Sequence, residues 1–138
     1  MRVLKVDTEE RRLGDFGEKE AVKFLRKQGY KILYTNYVDR GHEIDIVAEN
    51  KEYLIFVEVK TRDAAKNNPK EPRPASAVDK KKQMSIILAA KYLAMTERGK
   101  KKRFDVIEVY ANTEGSSLKV IDIKHLTGAF NYNTAQTR

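Results

Sequence analysis

At 138 residues, with 28 Lys and Arg against 20 Asp and Glu for a net charge of +8, the chain suits one domain with a single modest core. It has no cysteine, which excludes a disulfide framework and a thiolate zinc site, and no apolar run near the ~20 residues that span a bilayer. The opening MRVLKVDTEERR lacks the apolar stretch of a secretion signal, so the expectation is a cytoplasmic protein with no membrane association, one domain over residues 1–138 with frayed ends near 1–10 and 131–138.

Taken in chain order, apolar residues at Leu13, Ala21, Phe24 and Leu25 predict a helix from Leu13 to Gln28, with Gly29 ending it. YKILYTNYV reads as a short extended segment. The stretch EIDIVAENKEYLIFVEVK, Glu43 to Lys60, reads as a hairpin turning at Asn50-Lys51. Thr61 to Ala77 holds all three prolines and reads as a loop longer than most connections in compact domains. A second helix is predicted from Val78 to Arg98, followed by the basic run Lys100 to Arg103 and by two strands, RFDVIEVY and LKVIDIKHL, around ANTEGSS. Helix, short strand, hairpin, helix and hairpin predict an α/β fold: a central mixed or antiparallel sheet with helices packed on it.

Charges interrupt the first hairpin at one end. Side chains alternate faces along a strand, so Leu54, Phe56, Glu58 and Lys60 share one side while Tyr53, Ile55, Val57 and Val59 share the other. Both sides are apolar up to Val57, as in a central strand, which puts Glu58 and Lys60 at the end of a buried strand. A turn at Asn50-Lys51 sets Glu43 opposite Glu58, and Asp45 opposite Phe56 and diagonal to Glu58, all on one face. Diagonal neighbours lie within roughly 7 Å at Cβ, a gap that two carboxylates can close around one cation. A slip of one residue would undo the arrangement. On the first helix, at about 100° per residue, Glu18 falls between Val22 and Leu25 on the apolar arc, away from Lys19, Lys23 and Lys27.

Carboxylates brought together in a buried place need a cation, a lysine or shared protons. A hard divalent ion, Mg²⁺ or Mn²⁺, takes oxygen ligands and keeps several waters, so Asp45 and Glu58 with the Val59 carbonyl would make an open metal site able to receive a phosphate. Lys60 would pair with the acids at rest and hold a water or the scissile phosphate during reaction. These are the parts for metal-assisted phosphodiester hydrolysis. The plainer reading of Glu58 and Lys60 alone is an ion pair at a strand end.

Asp45 followed a hairpin later by Glu58-Val59-Lys60 resembles the PD-(D/E)XK nuclease core of restriction enzymes and Holliday junction resolvases. GEKEAVKFLRKQGYKIL, EIDIVA, FVEVKTR, KKQ, RFDVIEV and the late AF more closely resemble the YraN-like bacterial family, over nearly the whole chain to about Phe130. The resemblance implies a restriction-endonuclease-like core, a central mixed sheet flanked by helices, and an association with nucleic acid, DNA first. It implies that Asp45 and Glu58 are metal ligands, Lys60 the catalytic lysine, Glu18 the helix-borne acid and Gln83 the polar residue of the second helix. His42, where the family often runs Gly-Glu-Ile-Asp, and Met84-Ser85, where basic residues often follow the glutamine, depart from the pattern.

The positive excess favours a polyanionic partner, and Arg62, Arg73 and Lys82 are the candidate phosphate contacts. His42 beside Gly41 reads as a turn residue, and His125, Asp105 and Asp122 read as structural. Met84, Leu88 and Met95 form an apolar stripe opposite the core face of the second helix and are the candidate surface of a homodimer. Two functions stay open: a metal-dependent nuclease acting on DNA, structured or damaged, and a non-catalytic nucleic-acid or protein-binding module of the same fold.

Overall fold

The computed structural model describes residues 8–71, 78–96 and 99–136. Among them the chain runs α1 (Glu9–Lys27), β1 (Lys31–Asp39), β2 (His42–Glu49), β3 (Tyr53–Asp63), α2 (Lys80–Thr96), β4 (Lys101–Asn112), β5 (Lys119–Phe130) and α3 (Tyr132–Gln136). Helix α1 starts a turn before its first apolar residue. Thr8 caps it by accepting the Arg11 N–H at 3.1 Å, and Glu9 and Glu10 suit the positive end of the helix dipole. At the other end Gly29, at φ 91°, closes a Schellman turn: the Tyr30 N–H reaches the Leu25 carbonyl and the Gly29 N–H the Arg26 carbonyl, each at 3.0 Å.

The described strands form one mixed sheet in the order β1-β2-β3-β4-β5, with β3 and β4 parallel and the other neighbours antiparallel. Parallel neighbours need a crossover, and α2 lies in it. Helix α1 covers one face, where Ala21 and Leu25 pack on Ile46, Ala48, Ile55, Val57, Ile107 and Val109. Helix α2 covers the other, where Ile86, Ala89, Ala90 and Leu93 pack on Val47, Leu54, Phe56, Phe104 and Val106. Strand β3 is therefore central and buried on both faces, as its two-sided apolar pattern predicts.

Two expectations change. Ile46 pairs with Val57 and Glu49 with Leu54, so the turn residues are Lys51-Glu52 and not Asn50-Lys51. Asn50 stays at the corner because its Oδ1 accepts the N–H groups of Glu52 at 3.0 Å and Tyr53 at 2.7 Å. The register moves by two residues, which preserves the faces but brings Asp45 level with Glu58 instead of Phe56. The loop expected from Thr61 begins later: Thr61, Arg62 and Asp63 extend β3, paired with Val109, Tyr110 and Ala111.

Of the ends expected to fray, 1–7 and 137–138 lie outside the described residues, while Tyr132–Gln136 is helical with Ala135 buried. Among the described residues no helix is long and apolar enough to cross a membrane. Asp105, fully buried, accepts hydrogen bonds from Arg103 Nε and Nη2 and from the Gly128 N–H, and its Oδ2 lies 2.7 Å from His125 Nε2. Burial pushes this carboxyl up, but the bonds from His125, Arg103 and Gly128 outweigh it and hold the group below its ordinary range. The pair is a satisfied structural network.

Candidate active site

The β2–β3 ladder stops at Ile46 and Val57, and Asp45 lies just past it. On the other side of β2, between the pairs Thr35–Ile46 and Tyr37–Ile44, Asn36 stands opposite Asp45 with φ 52°, a left-handed conformation that Asn tolerates better than most residues. The sheet is thus disturbed on both sides of Asp45. Ile44 packs in the core under α2 while Ile46 packs under α1, although an undistorted strand would place both on one face.

Into this opening the acids converge. Asp45 Oδ2 accepts the Val59 N–H at 2.8 Å. The N–H and C=O of one strand residue point to the same neighbouring strand, so the Val59 carbonyl faces the same gap. Glu58, with a side chain only 7% exposed, has Oε1 at 4.0 Å from Lys60 Nζ and Oε2 at 3.8 Å from Lys82 Nζ. Neither distance is a hydrogen bond, and Glu58 Oε2 is buried with no hydrogen-bond partner among the described residues. Helix α1 brings Glu18 from the opposite layer. One small cleft of about 280 Å³ is lined by Glu18, Asp45, Glu58, Val59 and Lys60 together.

Proximity and burial move the protons. Burial, reinforced by the charge of Asp45, raises the Glu58 carboxyl to about 8, although Lys82 and Lys60 pull it down. Glu18 rises to about 7, first through burial and then through the charge of Asp45, a hydrogen bond to it, and the charges of Glu43 and Asp15. Among the described residues no group of three or more His, Cys, Asp or Glu side chains is spaced to hold a metal ion. The donors on offer are therefore two carboxylates and one carbonyl, the small set that suits an ion retaining its waters. A buried carboxylate oxygen without a donor fits such an ion.

Lys60, 36% exposed, stands between Glu58 and solvent, and Lys82 leans toward the same carboxylate from the first turn of α2. Gln83 turns inward: its Nε2 donates to the Val78 carbonyl at 2.8 Å, which leaves Oε1 buried without a partner among the described residues. Arg62 Nε bonds the buried Glu108 at 2.9 Å, so its charge is matched inside the protein. Arg73 lies outside the described residues. His42 opens β2 after a turn in which Arg40 and Gly41 both have positive φ, and its Nδ1 is 2.7 Å from Ser85 Oγ, which ties that turn to α2. On α2, Met84 is half-buried while Leu88 and Met95 are exposed.

One contributor was not singled out from the sequence. Gly17 is where α1 meets β3: a Cβ built there would overlap the Thr61 hydroxyl and lie 2.7 Å from Thr61 Cβ. The missing side chain lets α1 approach closely enough for Glu18, the next residue, to enter the cleft. The flag was a glycine within the buried arc of a helix, a position that costs about 1 kcal/mol relative to alanine unless packing demands it. Gly17→Ala is expected to destabilise the fold by about 1–3 kcal/mol through overpacking. Denaturant titration should show that cost shrinking in a Thr61→Gly background.

Comparison with known proteins bears on these same residues. The family model described as "Uncharacterised protein family UPF0102" matches residues 17–109, a span that opens on Gly17 and includes Glu18, Asp45, Glu58, Lys60 and Gln83. The chain is 38% identical over 122 residues to a UPF0102 protein of Caldicellulosiruptor saccharolyticus, covering 87% of this chain and 98% of that one. It is 42% identical over 122 residues to one of Chlorobium phaeobacteroides, covering 86% and 93%. With one of Clostridioides difficile the identity is 46% over 99 residues, covering 70% and 83%.

Proposed function

The chain belongs to the uncharacterised protein family UPF0102, and from its site we propose that it is a metal-dependent nuclease hydrolysing phosphodiester bonds in DNA, structured or damaged DNA in particular. The observation that carries the reading is the buried, donor-less oxygen of Glu58 beside Asp45 at the point where β2 and β3 part. Asp45, Glu58 and the Val59 carbonyl are the groups that would hold Mg²⁺ or Mn²⁺. A bound ion of this kind supplies Lewis acidity toward a phosphoryl oxygen and acidifies a water.

The chain's own residues do the rest. Glu18, which α1 brings into the cleft beside Asp45, is suited to take the proton of an attacking water. Lys60, with its ammonium at the mouth of the cleft, holds a phosphate oxygen and offers a proton as the leaving oxygen departs. Lys80, Lys81 and Lys82, at the start of α2, place positive charge beside the site for the flanking phosphates.

The test is cleavage of supercoiled, branched and single-stranded DNA, with RNA alongside, by the purified chain in Mg²⁺ or Mn²⁺. Cleavage that stops on chelation and in Glu58→Gln, while salt-sensitive binding persists, is the expected result. A wild-type chain that cuts none of these substrates with either ion overturns the catalytic reading and leaves the binding module.

A further inference from the structure

A second cleft stands apart from the acids, where β3 and β4 begin. Its Tyr53 stands five steps before Glu58 on β3, about 17 Å along a strand. The volume, about 710 Å³, is that of a small-molecule site. Its charge is one-sided. In the basic run that opens β4, Lys100 is matched by Glu49 at 2.6 Å, Lys101 by Glu52 at 3.2 Å and Arg103 by Asp105 at 2.8 Å. Lys102 has no acidic partner among the described residues, and neither has Lys91 of α2. Both line this cleft, and no acidic residue among those described does.

Its walls are aromatic. Phe104 is stacked between Phe56 at 5.2 Å and Phe130 at 5.4 Å and turns only its edge to the cleft, Tyr53 lies under the Arg103 guanidinium at 5.0 Å, and Tyr132 of α3 adds a ring that is 53% exposed. Flat apolar surfaces beside unmatched ammonium groups are complementary to a planar aromatic ring carrying a phosphate. We propose that this cleft binds a nucleotide, the base on the exposed ring of Tyr132 against the edges of Phe104 and Phe130 and the phosphate at Lys91 and Lys102. The assignment stands on the lining of the cleft; it rests on the proposed function only for the source, a strand under attack or a free nucleotide.

The experiment is a titration of the ¹⁵N-labelled chain with deoxyadenosine monophosphate in chelator, so that no cleavage intervenes. Saturable millimolar binding is expected to move the amides of Lys102, Phe104, Gly128 and Asn131 and to leave those of Asp45 and Glu58 in place. Lys91→Glu with Lys102→Glu should weaken binding at least about tenfold with the melting temperature unchanged, since both side chains are exposed. Tyr132→Ala should weaken it about tenfold through lost stacking. A short oligodeoxyadenylate that binds more tightly through the same amides identifies a strand as the source, and equal affinity identifies the free nucleotide.

Absent shifts overturn the assignment. So do equal shifts with inorganic phosphate alone, which would make the cleft an anion site with no base recognition. A concentration-dependent dimer that covers Leu88 and excludes the nucleotide gives the cleft to a second copy and also overturns it. A chain that cuts nothing yet shows the expected shifts sinks the nuclease and leaves this site standing.

Discussion

Asp45→Asn is expected to lower metal-dependent cleavage by on the order of 10³-fold while leaving the fold intact, because the several kcal/mol of charge stabilisation that a bound ion lends the transition state depend on its ligands. The amide oxygen can still accept the Val59 N–H that Asp45 Oδ2 holds at 2.8 Å, so the backbone of β3 keeps its partner. What is lost is one negative charge. That charge also raises both Glu18 and Glu58, so both carboxyls should titrate lower in the variant. Asp45→Ala is the structural control: it removes the acceptor too, leaves the Val59 N–H unsatisfied, and should cost about 1–3 kcal/mol of stability. Single-turnover cleavage with melting of both variants separates the cases. An Asn variant that cleaves within a few-fold of wild type removes Asp45 from the chemistry, and one that unfolds assigns it to structure.

The parts of this site that were legible in the sequence are those governed by local periodicity. Strand alternation put Glu58 and Lys60 at the end of a two-sided apolar run, helix periodicity put Glu18 on the buried arc of α1, and the faces of the paired stretch Ile46–Glu49 survived a register error because the shift was even, although alternation breaks at Asp45. The error itself had a local cause. Asn50 is a good turn residue at the corner as well as in the centre, and only its two side-chain bonds to Glu52 and Tyr53 decide between them.

What stayed hidden depends on residues distant in sequence. Gly17 against Thr61, Lys82 beside Glu58 and Arg62 bonded to Glu108 are products of how α1, α2 and β4 are layered, and no spacing rule announces them. Arg62 shows the consequence: read as a phosphate contact because it is basic and flanks the site, it is bonded to a buried carboxylate. The break at Asn36 was equally silent, since YKILYTNYV carries no proline or glycine to mark it. A strained backbone next to Asp45 is the sort of outlier that sites retain when neighbouring contacts hold it in place.

Glu58→Gln carries the second large effect, and its sign depends on pH and metal together. In the metal-free protein the carboxyl is raised from 4.5 to about 8, so the folded state binds more protons than the unfolded chain across that window. Wild-type stability must then fall as pH rises from about 4.5 to about 8, and the loss is complete above the folded value. Glutamine cannot ionise. The variant should match wild type at acidic pH and exceed it above pH 8 by on the order of 2–5 kcal/mol, since each pH unit across that window costs the wild type about 1.4 kcal/mol and relaxation around the charge recovers a part. Lys60 and Lys82, 36% and 39% exposed, can turn to solvent, so losing their partner subtracts little. Glu18, raised by burial and by Asp45, is unchanged in sequence in the variant, so a shallower decline remains.

A divalent ion reverses the order. On the proposed reading it would bind the ionised carboxylates in competition with protons, so Mg²⁺ or Mn²⁺ should raise the wild-type melting temperature more at pH 9 than at pH 6, and the Gln variant should gain almost nothing at either. Melting curves of both proteins at the two pH values, with chelator and with metal, contain the whole comparison. If wild type gains no more from metal than the variant, the buried oxygen of Glu58 is not a ligand, and the cluster is a structural one held together by shared protons and two loosely placed lysines.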